Sequence, residues 1–212
     1  PDPYKIINGA WIPYLGASTI LSIDNKLLIK RSDGLYFSSD SITNFEDIIQ
    51  GKILCGDVVR DMATNGEIIY AAIGYGYNIG SSGLWETTDN GDTWNCLLAK
   101  NVSKVAVKDR FIIIGDGFYN KEPYYSTDGG KTFNKITESQ GLQELQFYSV
   151  KIYGDIIYVG TKAGIYYSSD WGQSWRLLSV DLISKPIYTI ECYGNYIFAG
   201  TRYNTMMISS DK

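Results

Sequence analysis

Ser168-Ser-Asp-Trp-Gly-Gln-Ser-Trp175 is a polar turn between two apolar runs, and it is not unique in the chain. Thr87-Thr-Asp-Asn-Gly-Asp-Thr-Trp94 and Ser126-Thr-Asp-Gly-Gly-Lys-Thr-Phe133 repeat it. Ser38-Ser-Asp-Ser-Ile-Thr-Asn-Phe45 is a degraded copy, and Ser209-Ser-Asp-Lys212 begins a fifth. The five aspartates, Asp40, Asp89, Asp128, Asp170 and Asp211, are separated by 49, 39, 42 and 41 residues. A period of about forty residues signals a repeat architecture in which each unit buries its apolar face only against its neighbours. From Asp211 off the end and round to Asp40 the interval is again 41, so the sequence predicts a closed ring of five units.

Working outward from Ser168 gives the content of one unit. Tyr148–Tyr153 alternates as a strand, Gly154-Asp155 turns the chain, and Ile156–Thr161 returns it. Lys162-Ala-Gly164 is a short loop, Ile165–Ser169 a third strand, and Trp175–Leu178 a fourth. Period-2 patterning between turn residues marks strands. Four antiparallel strands in about forty residues make a propeller blade. The fold class expected is an all-β, five-bladed β-propeller with four-stranded antiparallel blades. One domain over residues 1–212 has approximate blades 14–50, 51–99, 100–138, 145–180, and 185–212 plus 3–9. In this reading Tyr4-Lys-Ile-Ile7, which matches Trp175-Arg-Leu-Leu178, completes the last blade and closes the ring. Such closure covers two open sheet edges.

The pattern Ser/Thr-x-Asp-x-Gly-x-Thr/Ser-Trp/Phe resembles the Asp-box, or BNR, repeat. The resemblance implies a hairpin between the third and fourth strands of each blade and a role in folding. From the residues themselves, each aspartate is expected to accept a backbone N–H two residues on. Gly91, Gly130 and Gly172 permit positive φ. Trp94, Phe133 and Trp175 are expected to anchor the fourth strands in the core. Asp40, Asp89, Asp128, Asp170 and Asp211 are thus given a structural role. Ile42 stands where the first copy needs glycine and the fifth copy is split, so those two hairpins should differ.

Composition narrows the function classes. The net charge is −4, with lysine and arginine scattered. Nucleic acid is not an expected partner, because it requires a concentrated positive stripe. There is no histidine, which removes the commonest general base and metal ligand. Cys55, Cys96 and Cys192 lack metal-ligand spacing and are expected to be buried thiols. Neither a metal nor a cofactor is expected. No apolar run is long enough to span a membrane as a helix. The N-terminus shows no signal peptide, which with the odd cysteine count favours the cytoplasm. Oligomeric state has no sequence signal. The 18 tyrosines and 22 glycines suit short strands and recognition loops.

In the family the face opposite the boxes commonly carries binding, and loops held by a rigid scaffold concentrate function. Arg31, Tyr75, Tyr77, Tyr119, Lys162, Arg202 and Tyr203 are the candidate ligand-binding residues there. Aligned inner strands place Thr19, Asp61, Lys104, Ser149 and Thr189 in one channel ring, from which Asp61 and Lys104 join the candidates. The next ring sets Lys151 beside Glu191. Ile20, Met62, Val105, Val150 and Ile190 are expected between blades. The resembled family includes sialidases, xyloglucan hydrolases, sortilin-like receptors and a photosystem assembly factor. Sialidases need an arginine cluster and a Phe/Tyr-Arg-Ile-Pro signature, whereas Trp11-Ile-Pro13 lacks the arginine. No catalytic residue is assigned. The expected function is a non-catalytic propeller binding glycan or protein. The alternatives are a minimal glycoside hydrolase, with Asp33, Asp61, Asp116 and Glu191 as candidate carboxylates, and a structural adaptor.

Overall fold

A computed structural model describes residues 4–7, 10–13, 19–23, 26–31, 34–38, 45–49, 58–74, 82–116, 121–182, 184–201 and 206–209. The fold is an all-β, five-bladed β-propeller, each blade an antiparallel meander. Two compact units, Pro1–Asn101 and Val102–Lys212, are treated separately below.

The first unit begins with a two-stranded ladder, β1 (Tyr4–Ile7) and β2 (Ala10–Pro13). Its first blade is β3 (Thr19–Ile23), β4 (Lys26–Lys30), β5 (Leu35–Ser38) and β6 (Phe45–Asp47). Its second is β7 (Val59–Thr64), β8 (Ile69–Ile73), β9 (Gly83–Thr87) and β10 (Asn95–Leu98). Leu28, Leu35, Phe37 and Ile48 of the first pack on Met62, Ile69, Ala71 and Ile73 of the second. Burying these side chains is the main favourable term holding blade to blade.

The second unit holds the other three blades. They are β11 (Lys104–Lys108), β12 (Phe111–Gly115), β13 (Tyr124–Ser126), β14 (Asn134–Lys135); then β15 (Ser149–Tyr153), β16 (Ile156–Thr161), β17 (Gly164–Ser168), β18 (Arg176–Leu177); then β19 (Ile187–Tyr193), β20 (Tyr196–Thr201) and β21 (Met206–Ser209). In each, the first two strands meet through a two-residue turn whose first residue has positive φ: Asp109, Gly154 and Gly194. Such turns match the right-handed twist of the strands they join. Phe111, Ile113 and Phe147 pack on Ile157, Val159 and Trp175. Tyr158 and Ile165 pack on Ile190, Ile197 and Ala199.

Three expectations are corrected. Tyr4–Ile7 pairs with Ala10–Pro13, in register Ile7 to Ala10, and the last blade shows three strands among the described residues. The two residues separating β1 from β2 in sequence are Asn8-Gly9, the strongest local signal for a hairpin, and local pairing closes the smallest loop. Ile20 is 57% exposed, while Met62, Val105 and Ile190 are buried as expected and Val150 is half-buried. Cys96 is exposed because its β10 is the outer strand of its blade; neither Cys96 nor Cys192 forms a disulfide. Cys55 lies outside the described residues.

The repeated turn has one geometry in three blades. Thr87 Oγ1 accepts the Gly91 N–H at 2.8 Å and donates to Asp89 Oδ1 at 2.7 Å. Asp89 Oδ1 accepts the Thr93 N–H at 2.9 Å, and Oδ2 accepts the Thr93 hydroxyl at 2.6 Å. Ser126, Asp128, Gly130 and Thr132 reproduce this, as do Ser168, Asp170, Gly172 and Ser174. The aspartate therefore grips the amide four residues on, rather than two. The amide two residues after the aspartate is instead accepted by the buried hydroxyl two residues before it. Gly91, Gly130 and Gly172 have φ of 93°, 85° and 85°. Hydrogen bonds from the side chain and amide of Thr93 hold the Asp89 carboxyl well below the usual range, and Thr132 does the same for Asp128. At Asp170 burial pushes the other way, but the bonds from Ser174 and Ser168 prevail and lower it. The turns of the first and fifth copies, with Asp40, Ile42 and Asp211, lie outside the described residues.

Candidate functional site

The three described turns each occupy one end of their blade, and in the second unit that end is tied together. Lys108 Nζ donates to Asp155 Oδ1 at 2.7 Å and to Gly154 O at 2.8 Å, and lies 5.6 Å over the Trp171 ring. The other end carries the segments between second and third strands and the blade-to-blade connections, and there the polar and aromatic groups converge.

The Thr137 amide is capped by Gln140 Oε1 at 2.7 Å, and the chain reverses at Gly141 with φ of 103°. That reversal carries the connection back to Glu144, whose Oε1 meets Lys121 Nζ at 3.0 Å and the Gln146 N–H at 3.2 Å. Tyr148 O–H donates to Gln146 Oε1 at 3.4 Å. The Tyr148 ring stacks on Tyr188, with centroids 4.8 Å apart and planes 2° apart. Alongside, Lys135 Nζ donates to Glu122 Oε1 at 2.6 Å, and Tyr124 O–H to Glu122 Oε2 at 3.3 Å. That carboxylate raises the Lys135 pKa, and burial, followed by Glu122, raises that of the Tyr124 phenol. The strip thus runs from β13 across β15 to β19. It combines the two stacked tyrosines with a rim of paired charges.

The channel-lining strands carry a second charged pair. Lys151 Nζ meets Glu191 Oε2 at 2.6 Å, joining β15 to β19 as the strand alignment predicts. Both side chains remain in contact with solvent, so the pair contributes little to stability.

Four of the nine ligand-binding candidates singled out from the sequence lie among the described residues. Arg31 stacks its guanidinium 4.5 Å over the Tyr36 ring, at the start of the β4–β5 connection. Asp61 Oδ1 accepts the amide of Met62 at 3.0 Å. Lys104 is half-buried at the start of β11, and Lys162 is exposed on the β16–β17 turn. Tyr75, Tyr77, Tyr119, Arg202 and Tyr203 lie outside the described residues, as does Asp33. Asp116 is buried, and Glu191 is committed to Lys151. Sequence reasoning passed over Tyr148 and Tyr188. Both immediately precede the polar channel residue of consecutive repeats, Ser149 and Thr189, and equal repeat positions are neighbours in a propeller.

No family model matches the chain. No curated protein matches it either. Solved structures do share its fold. The extracellular domain of BT4673 from B. thetaiotaomicron is similar with a TM-score of 0.70 and 15% identity, over 97% of this chain and 28% of that one. A chain of the nidogen/laminin complex has a TM-score of 0.68 and 8% identity, over 97% and 83%. YCF48 bound to D1 peptide has 0.65 and 10%, over 99% and 69%. An ancestral GH74 enzyme has 0.59 and 16%, over 92% of this chain, which spans about a third (32%) of the enzyme. Identities this low establish the fold only.

Proposed function

We propose that the chain is a non-catalytic binding propeller of the Asp-box type, and that the end of its blades opposite the repeated turns recognises a protein partner. The observation carrying this reading is the stacked Tyr148–Tyr188 pair with its flanking Lys121–Glu144 ion pair. Rigid tyrosines offer contact area at low entropic cost, and hot spots favour them. A binding role also fits the turn aspartates: hydroxyl and amide donors occupy both oxygens of Asp89, Asp128 and Asp170, which suits scaffolding rather than acid–base work. Two solved propellers of this fold are named for protein or peptide complexes, nidogen/laminin and YCF48 with D1 peptide. By analogy, which bears on plausibility alone, the same use of the scaffold is open to this chain.

The test is affinity capture from the protein's own cells with the native chain and with Tyr188→Ala, run beside a glycan array. A protein captured by the native chain and lost from the variant is the expected result. Specific glycan binding abolished by Tyr188→Ala would replace protein with carbohydrate. Turnover of a glycoside substrate would overturn the non-catalytic reading.

A further inference from the structure

In the three blades of the second unit, two residues separate the first strand from the second. In the second blade four residues do so: Asn65-Gly66-Glu67-Ile68 lies between β7 and β8. This longer loop exposes an asparagine–glycine bond. The chain has three such bonds, beginning at residues 8, 65 and 90, and the last two lie among the described residues. A glycine there leaves its backbone nitrogen unshielded by a side chain, so the nitrogen can attack the carbonyl carbon of the preceding asparagine side chain.

At Asn65 the reacting groups are already held. Asn65 Oδ1 accepts the Glu67 N–H at 3.2 Å and the Ile68 N–H at 2.9 Å. Both donors point at the oxygen that turns negative when Cγ is attacked, and such bonds strengthen as charge develops. The Gly66 N–H donates to Thr64 Oγ1 at 3.0 Å in an exposed position, where water can take over that bond. A Cβ placed on Gly66 would meet nothing within 4 Å, so solvent reaches the loop freely.

Asn90-Gly91 puts the same pair in the opposite setting. The Gly91 N–H is held by the buried Thr87 Oγ1 at 2.8 Å, and a Cβ on Gly91 would collide with Ile48. Attack there must break a buried hydrogen bond with no water to replace it. No donor reaches the Asn90 side-chain oxygen among the described residues.

We propose that Asn65 is a self-modifying site, which cyclises with Gly66 to a succinimide that water opens to aspartate or isoaspartate, while the turn around Asn90 keeps that residue intact. In the first step the Gly66 nitrogen bonds to Asn65 Cγ and the Cγ–Nδ2 bond breaks. The proton lost from the Gly66 nitrogen passes through water to the departing amine, which leaves as ammonia. Water then cleaves one of the two ring bonds to the Gly66 nitrogen. Cleavage at Cγ leaves aspartate. Cleavage at the backbone carbonyl carbon leaves isoaspartate, with the chain running through the side-chain carbon. Water is the only co-reactant. Either product adds a carboxylate beside Glu67 and takes the net charge from −4 to −5. The inference does not rest on the Tyr148–Tyr188 strip.

The full chain is held at mildly alkaline pH, folded in buffer or unfolded in guanidinium, and sampled over time by peptide mapping with mass spectrometry. Both bonds are followed by an acidic residue, Glu67 or Asp92, so in the unfolded chain they should react at similar rates. In the folded chain Asn65 should outpace Asn90 by about tenfold or more, and should react at least as fast as it does unfolded. Hydroxylamine, which cleaves succinimides, should cut the folded chain between residues 65 and 66, and Asn65→Gln, which would have to close a larger ring, should lose that cut. Two results would overturn the proposal: Asn65 reacting more slowly folded than unfolded, or Asn90 keeping pace with Asn65 in the folded chain.

Discussion

Ser126→Ala removes one oxygen and isolates the part of the repeated turn that the structure makes its centre. Ser126 is fully buried, and its hydroxyl has three partners: the Gly130 N–H at 2.9 Å, the Asp128 N–H at 3.3 Å and, as donor, Asp128 Oδ1 at 2.7 Å. Without the hydroxyl, the Gly130 amide is left in a buried position without its acceptor. An orphaned buried donor costs about 1–3 kcal/mol. Taking about 2 kcal/mol, and about 2–4 °C per kcal/mol for a chain of this size, the melting temperature should fall by about 4–8 °C. Thr132→Val is the control, since it removes an exposed hydroxyl from the same carboxylate at 2.7 Å and orphans nothing buried. It should cost no more than about 1 kcal/mol. Thermal and urea unfolding of both variants decide the matter. If Ser126→Ala melts within a degree of the native protein, or if Thr132→Val costs as much, the buried hydroxyl is not the centre of the turn.

Other perturbations follow from the same geometry. Gly91→Ala should destabilise by about 2–4 kcal/mol in urea melts, because φ of 93° disfavours a side chain and the added Cβ would collide with Ile48. Trp94→Phe should cost about 1–2 kcal/mol more than Trp175→Phe: the Trp94 indole donates to Ile48 O at 2.8 Å, whereas the buried Trp175 indole N–H has no acceptor among the described residues. Asp128 is held below the unfolded carboxylate value, so its contribution is complete above about pH 4 and is lost as the pH falls further. The stability gap between the native chain and Asp128→Asn should accordingly narrow between pH 7 and pH 3 in urea titrations. Glu191→Gln should shift stability by less than about 1 kcal/mol, because the Lys151–Glu191 pair is solvated.

The repeat period carries most of the architecture into the sequence. Aligning unit on unit places Lys151 against Glu191 and puts Trp94 and Trp175 against the connections of the preceding blades, because one blade geometry is used throughout. The internal wiring of the turn is less readable. Ser126 and Asp128 both carry oxygen acceptors within reach of several amides, and only the backbone geometry shows that the hydroxyl takes the near amide and the carboxylate the far one. β1 illustrates a competition that alignment cannot weigh. Tyr4–Ile7 matches a fourth strand, yet two residues further on it has a hairpin partner. The candidate strip was half legible: Tyr148 and Tyr188 hold matching repeat positions, but the Lys121–Glu144 pair depends on the reversal at Gly141.

The central claim is that recognition belongs to the end of the blades opposite the repeated turns. A photo-crosslinking residue at position 188 tests it most directly when set against one at position 131, on the turn end. The account predicts a discrete protein adduct from position 188 and none from position 131. An adduct only from position 131, or equal labelling from both, would contradict it.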